Sequence, residues 1–504
     1  MVNATGFDND TYLAEQTEEI QRRAEQNGNK LYLEFGGKLM HDMHAARVLP
    51  GYDPNVKLRL LQKLKDKAEI VLCIFAGDIE RKKMRADFGI SYDTDALKLI
   101  DGLRSWGLLV RAVVITRFSG QHAAKQFRAR LEHRGIKVYY HHVTQGYPAD
   151  VDTIVSPEGY GANEYIETER PIVVVTGPGP GSGKLATCLT QLYHDRNAGR
   201  LAGYAKFETF PVWNLPLEHP VNVAYEAATV DLNDANMVDP YHLQAYNKVS
   251  INYNRDIDAF PVVRSILRRI GADLSCRSPT DMGVNRISAG LLDDGIVREA
   301  ARQEVLRRYF RYACEYALGL ADLDAVHRVE KLMQELGIRP DDRRVVLPAR
   351  QAALDGAARQ KGHLGIYCGA ALELRDGSLV TGKNSPLMHA ASSVVLNAVK
   401  QLAGIPDRIH LLPPAVTRSI GTLKRDILGR RHESMSLDET LVALCISATA
   451  NPSAQAAMEG LKELAGTELH STHIPAAGDE AGLKRLGIHV TSDPLFPSRD
   501  LVDA

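Results

Sequence analysis

The sequence predicts an α/β protein whose first half is a parallel sheet with helices on both faces. Strand-like segments alternate with helix-like segments, and several strands, such as EIVLCIFA over residues 69–76, are apolar along almost their whole length. Strands of this composition are typical of parallel sheets that are buried on both faces. Because ligands bind such sheets at the carboxyl ends of the strands, the turns that follow the strands are the candidate binding positions.

The alternation defines the elements of the first half in order. Two further strands are predicted over residues 203–213 and 221–230, and the second ends beside Asp231. An acidic residue at a strand end near a phosphate-binding loop is where Mg²⁺ would be held, and a helix cap or a turn is the alternative for a single aspartate. The earlier helices are predicted over residues 11–25, 56–68, 93–106 and 121–134, and the earlier strands over residues 30–35, 69–76, 109–116, 137–143 and 172–176.

A glycine-rich turn joins the strand at residues 172–176 to a helix in the stretch PIVVVTGPGPGSGKLATCLTQ. Glycine lets backbone N–H groups point at an anion, the helix N-terminus adds its positive end, and Lys184 supplies a full charge. A second, weaker Gly-Gly-Lys turn ends at Lys38. The candidate ligand-binding residues of the two turns are Gly177, Gly179, Gly181, Ser182, Gly183, Lys184, Thr187 and Lys38.

The match of this turn to the P-loop pattern is imperfect. Pro178 stands where the first glycine belongs, and Leu185 stands where a serine or threonine would hold Mg²⁺. Each proline also removes a backbone donor. These departures weigh more against nucleotide hydrolysis than against anion binding, and a tight strand-to-helix turn with a surface lysine is the alternative.

Polar side chains are concentrated between Asp231 and Asp258. The segment has too many carboxylates and carboxamides for a core element, so we expect it to face a substrate beside the glycine-rich turn. Both segments would leave carboxyl ends of strands in one sheet. Lys184, Asp231 and Asp256 are therefore the candidate catalytic residues.

The rest of the chain predicts two more domains. Residues 262–336 have a helical pattern that contains a polar turn, with Ser278, Thr280 and Asp281 as caps of the next helix, and a polar connection follows over residues 339–360. The last part contains a hairpin turn at Asp376-Gly377 between two strands and helices over residues 386–402 and 437–448. The predicted domains are a P-loop-like α/β domain over residues 1–235, a helical domain with the polar segment at its start over residues 236–340, and a second α/β domain over residues 341–504.

Composition limits the classes of partner. The net charge of −1 provides no single-sign field for nucleic acid or for an acidic membrane surface. No apolar run approaches the ~20 residues of a membrane span, and the first residues have no apolar segment of a secretory signal. The six cysteines have no paired spacing. A reduced, cytoplasmic protein that forms a homo-oligomer is the expectation.

Six segments spread along the whole chain resemble those of one known family. They are LYLEFGGKL, HAARVLPGYDPN, GPGPGSGKLATC, SPTDMGVN, TGKNSPLMHAAS and HSTHI. The family that they resemble is the bacterial uncharacterised protein family 0371, also called domain of unknown function 1846. The resemblance implies a cytosolic bacterial protein with a P-loop-like α/β domain, a helical domain and a C-terminal domain, and it implies no catalytic residue.

The C-terminal part has a fainter resemblance to the cytidine-deaminase fold. The segment GAALELRDGSLVTGKNSPLMHAASSVVLNAVKQL is similar to its hairpin and helix, with His389 at the position of a zinc ligand. Ala391 stands where the glutamate that moves protons in zinc deaminases would be, and the paired cysteines are missing. We therefore expect no zinc and no deaminase activity. The alternative to this resemblance is that His389 is simply a packed histidine at a helix N-terminus.

Three functional hypotheses follow. The first is an enzyme that binds a nucleotide or another phosphorylated small molecule at the glycine-rich turn, with phosphoryl transfer or phosphate-assisted chemistry and with Mg²⁺ as a candidate cofactor. The second is a non-catalytic phosphate-ligand sensor or assembly protein, which Leu185 favours. The third is a small-molecule enzyme whose site lies in the C-terminal domain.

Overall fold

The computed structural model describes residues 5–85, 90–272, 276–430 and 432–498. The chain forms two compact units, which we call the N-terminal unit (Thr5–Ala301) and the C-terminal unit (Arg302–Ala504). This division differs from the three domains expected from the sequence, whose boundaries at residues 235 and 340 stay a prediction. Within the described residues, no helix has the length and the apolar character that a membrane crossing requires.

A six-stranded parallel sheet forms the centre of the N-terminal unit and confirms the prediction of an α/β protein with a parallel sheet. The strand order is β4-β3-β2-β5-β1-β6, with every neighbouring pair parallel. The strands are mostly buried because both faces of the sheet carry helices. The strands are β1 (Leu31–Phe35), β2 (Ala68–Phe75), β3 (Val110–Thr116), β4 (Lys137–Tyr140), β5 (Ile172–Thr176) and β6 (Gly203–Phe207).

Helices connect these strands and cover the sheet. Val173 and Val175 of β5 share one core with Leu189, Phe260 and Val263 from two of the helices. A short strand pair, Met84–Arg85 with Ile90–Ser91, lies outside the sheet. The helices are α1 (Asn9–Gln26), α2 (Met43–Val48), α3 (Val56–Lys63), α4 (Ala76–Glu80), α5 (Tyr92–Ser105), α6 (His122–Glu132), α7 (Val151–Ile154), α8 (Lys184–Asn197), α9 (Pro220–Ala228), α10 (Pro240–Tyr246), α11 (Asn254–Ile270) and α12 (Pro279–Met282).

The strand order creates a crevice at the carboxyl ends of β2 and β5. These two strands are neighbours, yet the chain leaves β2 toward β3 on one side and leaves β5 toward β6 on the other. Connections that diverge from adjacent parallel strands open a gap between them, and this is where open α/β sheets bind ligands. The glycine-rich turn follows β5 directly, so the fold places it at this crevice.

Two sequence predictions in this unit were wrong. The strand predicted over residues 221–230 is helix α9, which has Pro220 in its first turn. The His219 ring caps this helix, because its Nδ1 accepts a hydrogen bond from the Val221 amide at 3.2 Å. Val221, Ala224 and Ala227 are buried at helical spacing, because the apolar run faces one side of a helix. The strand predicted over residues 203–213 ends at Phe207.

The polar segment is built of short elements. An antiparallel pair, β7 (Asn236–Val238) with β8 (Ile251–Tyr253), encloses α10. Asp239 caps α10 and also accepts hydrogen bonds from the amide and hydroxyl of Thr280 at 3.1 and 2.7 Å. Ser278 and Asp281 form the predicted capping box of α12. Part of the polar composition therefore serves local structure.

The C-terminal unit contains a second, mixed sheet of four strands in the order β10-β9-β11-β12. Strand β9 (Gly369–Glu373) is antiparallel to β10 (Leu379–Lys383) and to β11 (Glu468–Ser471), and β11 is parallel to β12 (His489–Ser492). The hairpin predicted at Asp376-Gly377 is confirmed, with Gly377 at a φ of +82°. A second α/β region is therefore confirmed at this level.

The residue boundary between the two units falls within helix α13 (Asp294–Ala317), and further helices follow it in the C-terminal unit. Helices 437–448 and 386–402 were predicted, and the second begins later than expected, at Ala390. The segment 339–360, expected to be a polar connection, contains a helix. The further helices are α14 (Leu323–Leu336), α15 (Val346–Ala358), α16 (Ala390–Leu402), α17 (Pro414–Thr422), α18 (Leu437–Ala448), α19 (Pro452–Gly460) and α20 (Ala477–Arg485).

Candidate functional site

The glycine-rich loop, residues 177–184, connects β5 to α8 in a tight path. Gly183 is the N-cap of α8 with a φ of +92°, and a side-chain carbon there would lie 2.7 Å from Cγ2 of Thr116. Gly181 has a φ of +71°. Both positions use a left-handed backbone that glycine adopts at little cost, so the glycines serve the course of the chain as well as any ligand.

Four consecutive amides at the start of α8 are free to donate. Among the described residues, no protein acceptor receives a hydrogen bond from the amides of residues 183–186. The carbonyl of Ser182 accepts from the Thr116 hydroxyl at 2.8 Å. Since the carbonyl and N–H of one peptide plane point in opposite directions, this bond turns the Gly183 amide away from β3. The result is a set of backbone donors at the positive end of a 14-residue helix.

Two cationic side chains accompany these amides. The ammonium of Lys184 is 3.5 Å from the carbonyl oxygen of Gly179. The guanidinium of Arg117 lies 3.5 Å from the ring centroid of Phe75 and donates to the carbonyl of Gly181. Arg117 has a φ of +50° directly after β3. A non-glycine residue in this region is strained, and such strain is concentrated at functional sites.

A cavity of about 1100 Å³ opens over the carboxyl ends of the strands. The glycine-rich loop forms part of its wall, and Tyr92, Tyr147 and Tyr160 add aromatic surface. This volume slightly exceeds the range of about 300–1,000 Å³ that is typical of small-molecule sites. The charged lining residues are Glu34, Lys38, Asp95, Lys98, Arg117, Lys184, Lys206, Glu208, Asp234, Arg255 and Asp256.

Five of these side chains form a group that we call the carboxylate–lysine cluster: Glu34, Lys206, Glu208, Asp234 and Asp256. Glu34 and Lys206 are register partners on β1 and β6. The Lys206 ammonium contacts Asp256 and lies 3.2 Å from Oε1 of Glu208. The cluster therefore assembles at the ends of two adjacent strands and the start of α11.

Two further side chains border the cluster. The Tyr204 hydroxyl donates to Oε2 of Glu34 at 2.6 Å. The Arg255 guanidinium lies 3.4 Å from Asp234. The cluster thus accepts a hydrogen bond from a phenol on β6 and lies beside a second cation on α11.

The cluster shifts the protonation of its members. Burial raises the pKa of Glu208 to about 7; Lys206 opposes this rise, and the carboxylates of Asp256 and Glu34 add to it. Burial lowers the pKa of Lys206, but the carboxylates of Asp256, Glu208 and Glu34 outweigh burial and raise this pKa above its ordinary value. Glu208 is therefore poised to exchange a proton near neutral pH, while Lys206 stays charged.

The structure brings most of the sequence-predicted site residues together. Thr187 is fully buried, and its hydroxyl lies 3.4 Å from the Cys73 thiol. The residues of the prediction that line the cavity are Gly177, Gly179, Gly181, Gly183, Lys184, Thr187, Lys38 and Asp256.

Two predicted residues are not part of the lining. Ser182 is buried within the loop. Asp231 is exposed in a short 3₁₀ turn after α9. No strand ends there, so the argument for Asp231 as a Mg²⁺ ligand was wrong in its premise. Asp234, three residues later, is buried and does line the cavity.

Glu34, Lys206 and Glu208 were not among the residues predicted from the sequence. A signal was present, since each is a charged residue in or directly after an otherwise apolar strand, in LYLEF and GYAKFE. Charges are rarely buried without a partner, so a charge near the carboxyl end of a buried parallel strand indicates a site. The assignment also required the strand order, which makes β1 and β6 neighbours.

The two histidines singled out in the C-terminal unit have separate polar partners. Nδ1 of His389 lies 2.7 Å from Oδ2 of Asp479, at the N-terminus of α16. His470 is buried against the Thr491 hydroxyl at 2.9 Å. Over the described ranges, no three His, Cys, Asp or Glu side chains are grouped as metal ligands. The cytidine-deaminase resemblance and the expectation of no zinc stay predictions. All six cysteines are free thiols.

Comparison with known proteins assigns both parts of the chain to one family. Residues 5–337 match the domain of unknown function DUF1846, N-terminal, and residues 341–502 match the domain of unknown function DUF1846, C-terminal. A UPF0371 protein of Clostridium tetani is 54% identical over 497 residues, which cover 98% of this chain and 99% of that protein. UPF0371 proteins of Clostridium botulinum (strain Kyoto) and Clostridioides difficile are each 54% identical over 498 residues, with the same coverage. The chain therefore belongs to the UPF0371 family, which carries the two DUF1846 domains.

Proposed function

We propose that the protein is an enzyme that binds a phosphorylated small molecule or a nucleotide in the cavity of the N-terminal unit. The phosphate lies on the amides of residues 183–186, and Lys184 neutralises its charge. The observation that carries this proposal is the row of free amides at a helix N-terminus, beside Lys184 and open to a cavity. Anions bind at such positions through N–H groups and the helix dipole.

The carboxylate–lysine cluster in the same cavity favours catalysis over binding alone. A group that exchanges a proton near pH 7 is what general acid–base chemistry needs. Asp256 contacts Lys206 and holds its charge in place. The proposal gives Asp231 no part in the reaction, because it stands outside the cavity lining.

The alternative is a non-catalytic phosphate-ligand sensor or assembly protein. Leu185 favours it, because the cavity wall presents this apolar side chain where phosphate-loop enzymes place the hydroxyl that binds Mg²⁺. Conversion of a bound phosphorylated compound, followed by ³¹P NMR, separates the two functions. Binding without conversion supports the sensor.

The binding test is a calorimetric titration with ATP, GTP and ribose 5-phosphate, with and without Mg²⁺. Lys184→Ala is expected to weaken binding by about 1.5–3 kcal/mol, the range for a hydrogen bond to a charged group. Lys125→Ala, on the exposed side of α6, is the matched control and should leave affinity unchanged. Equal binding by wild type and Lys184→Ala would contradict the proposal and favour a site in the C-terminal unit.

A crystal grown with sulfate or phosphate supplies the structural test. An anion within hydrogen-bond distance of the amides of residues 183–186 supports the proposal. A side chain or a carbonyl occupying that space contradicts it.

A further inference from the structure

The carboxylate–lysine cluster has a composition that an anion site does not need. It holds the carboxylates of Glu34, Glu208, Asp234 and Asp256 against the ammonium of Lys206, with the Arg255 guanidinium beside Asp234. A second phosphate would meet four carboxylates there, and like charges repel. The cluster therefore fits a neutral part of a ligand.

Hydroxyl groups match this mixture of donors and acceptors. A hydroxyl donates one hydrogen bond and accepts others. A carboxylate only accepts, and an ammonium only donates. A row of hydroxyls can therefore donate to Glu208 or Asp256 while accepting from Lys206, so that each polar group has a partner.

The distance between cluster and loop fits a single small molecule. The glycine-rich loop leaves β5, Glu34 is on β1 and Lys206 is on β6, and these three strands are consecutive in the sheet. Adjacent strands are about 4.8 Å apart, so two spacings amount to about 10 Å. A sugar that carries one phosphate has this length, and one cavity contains both regions.

The backbone makes room for Glu208. A side-chain carbon added at Gly36 would lie 2.6 Å from Cγ and 2.8 Å from Oε1 of Glu208. Real carbons do not approach this closely, so the carboxylate of Glu208 rests against the bare backbone after β1. Its side chain is 23% exposed, which leaves it open to the cavity.

We propose that the carboxylate–lysine cluster is the subsite for the hydroxyl groups of a phosphorylated sugar, with Glu208 as a hydroxyl acceptor that loses its proton when the sugar binds. This inference rests on the proposed function, because it uses the loop as the phosphate site. It adds the class of ligand and the residue whose protonation reports binding.

The charged and titratable groups that face Glu208 come from several elements. Lys206 and Glu34 lie on β6 and β1, and Asp256 and Arg255 lie on α11. The phenols of Tyr225 on α9 and Tyr253 on β8 also interact with Glu208. A hydroxyl donor favours the ionised form of Glu208, so binding near pH 7 releases part of a proton.

The affinity test compares ribose 5-phosphate and glucose 6-phosphate with methyl phosphate, which has a phosphate and no further hydroxyl. The sugar phosphates are expected to bind at least about tenfold more tightly, since hydrogen bonds to charged groups each contribute this much or more. Glu208→Gln and Asp256→Asn should remove that advantage, so that the ratio of sugar phosphate affinity to methyl phosphate affinity falls to about one. Asp258→Asn, exposed on the same helix and outside the cavity lining, is the matched control.

The proton test measures the sugar-phosphate titration in buffers with different ionisation enthalpies at about pH 7. The wild type should release more protons than Glu208→Gln with the same ligand, and methyl phosphate should show no difference between the two proteins. A purely structural role of Glu208 would lower affinity without this difference in proton release.

The outcomes separate this inference from the proposed function. Equal affinities for methyl phosphate and sugar phosphates, with binding lost in Lys184→Ala, overturn the hydroxyl subsite and leave the phosphate site. No binding of any phosphate compound overturns both. Tighter binding of AMP than of ribose 5-phosphate would support the hydroxyl subsite and identify the sugar as part of a nucleotide.

Discussion

The two units each hold a group of charged side chains, and the groups differ in how completely the charges are paired. In the C-terminal unit, Glu468 accepts from Arg307 at 2.7 Å and from Arg343 at 2.6 Å. In the N-terminal unit, four carboxylates are matched by two cations, Lys206 and, beside Asp234, Arg255. The C-terminal group is a closed ion network, whereas the carboxylate–lysine cluster has an excess of negative charge.

The pKa values of the two glutamates follow from this difference. Burial alone would raise the pKa of Glu468, but Arg307 and Arg343 outweigh it and lower the pKa to about 2. For Glu208, burial and two neighbouring carboxylates outweigh one lysine and raise the pKa to about 7. Complete pairing thus suits a structural role, and incomplete pairing beside a cavity leaves a group that can exchange protons.

The largest effect that separates the two groups is expected from Glu468→Gln. This change takes the carboxylate of Glu468 from Arg343, which is only 2% exposed, and leaves Arg307 with Glu304 as its carboxylate partner. Removing one partner of a buried ion pair costs about 3–5 kcal/mol. Urea unfolding at neutral pH measures the loss, and a change below about 1 kcal/mol, the value of an exposed pair, would show that the network is not structural.

Acid pH is the next test of the contrast. The pKa of Glu468 is lower in the folded state than its ordinary value of 4.5, so its stabilisation is complete above that value and is lost as pH falls toward about 2. A shift of this size corresponds to about 3 kcal/mol. Unfolding free energies of the wild type should therefore fall more steeply over this range than those of Glu468→Gln. If the unfolding free energies of the two proteins fell equally steeply with pH, the lowered pKa of Glu468 would be contradicted.

Glu208→Gln is expected to act in the opposite direction. Because the pKa of Glu208 is raised from 4.5 to about 7, the folded state holds its proton longer than the unfolded state, and stability falls as pH rises through this window. Above it, replacement by neutral glutamine should raise the unfolding free energy by about 1–2 kcal/mol after solvent screening. Near pH 4.5, the lower end of this window, Glu208→Gln should have little effect on the unfolding free energy. A loss of stability at high pH would show that Glu208 is paired like Glu468.

Gly36→Ala sharpens the comparison with the smallest expected effect. The added carbon forces the Glu208 side chain away from the backbone, at a cost of about 1 kcal/mol for local overpacking. Glu208 then becomes more solvated and its pKa falls. The gain in stability from Glu208→Gln above pH 7 should therefore shrink in the Gly36→Ala background. An unchanged gain would indicate that Gly36 does not position Glu208.

Elements with a strong local pattern were predicted well from the sequence. The strand, glycine-rich turn, lysine and helix from Ile172 onward follow the predicted order, because buried strands and helix starts have short-range signatures. Helix α9 was mistaken for a strand, since its apolar run VNVAYEAA fits both periods over a few residues. Helix α15 was missed in a segment whose arginines and glutamines suggested a connection.

The candidate site was predicted only in part, for a physical reason. Lys184 and the glycines lie in one short segment, so their proximity follows from covalent connection. Glu34, Lys206 and Asp256 come from distant positions and meet only after β1, β6 and α11 have packed. Polar composition predicted both Asp231 and Asp256 as catalytic residues. Only the fold distinguishes them, because Asp231 is exposed and Asp256 lines the cavity.

The sequence by itself determined the loop: its glycines, its lysine and the helix behind it are set by local backbone preferences and a few consecutive residues. The tertiary structure decided what faces that loop. Strand order made β1 and β6 neighbours and brought four carboxylates around one lysine. Burial then raised the pKa of Glu208. Desolvation and charge pairing depend on distances between residues far apart in the chain, and these distances exist only once the sheet has formed.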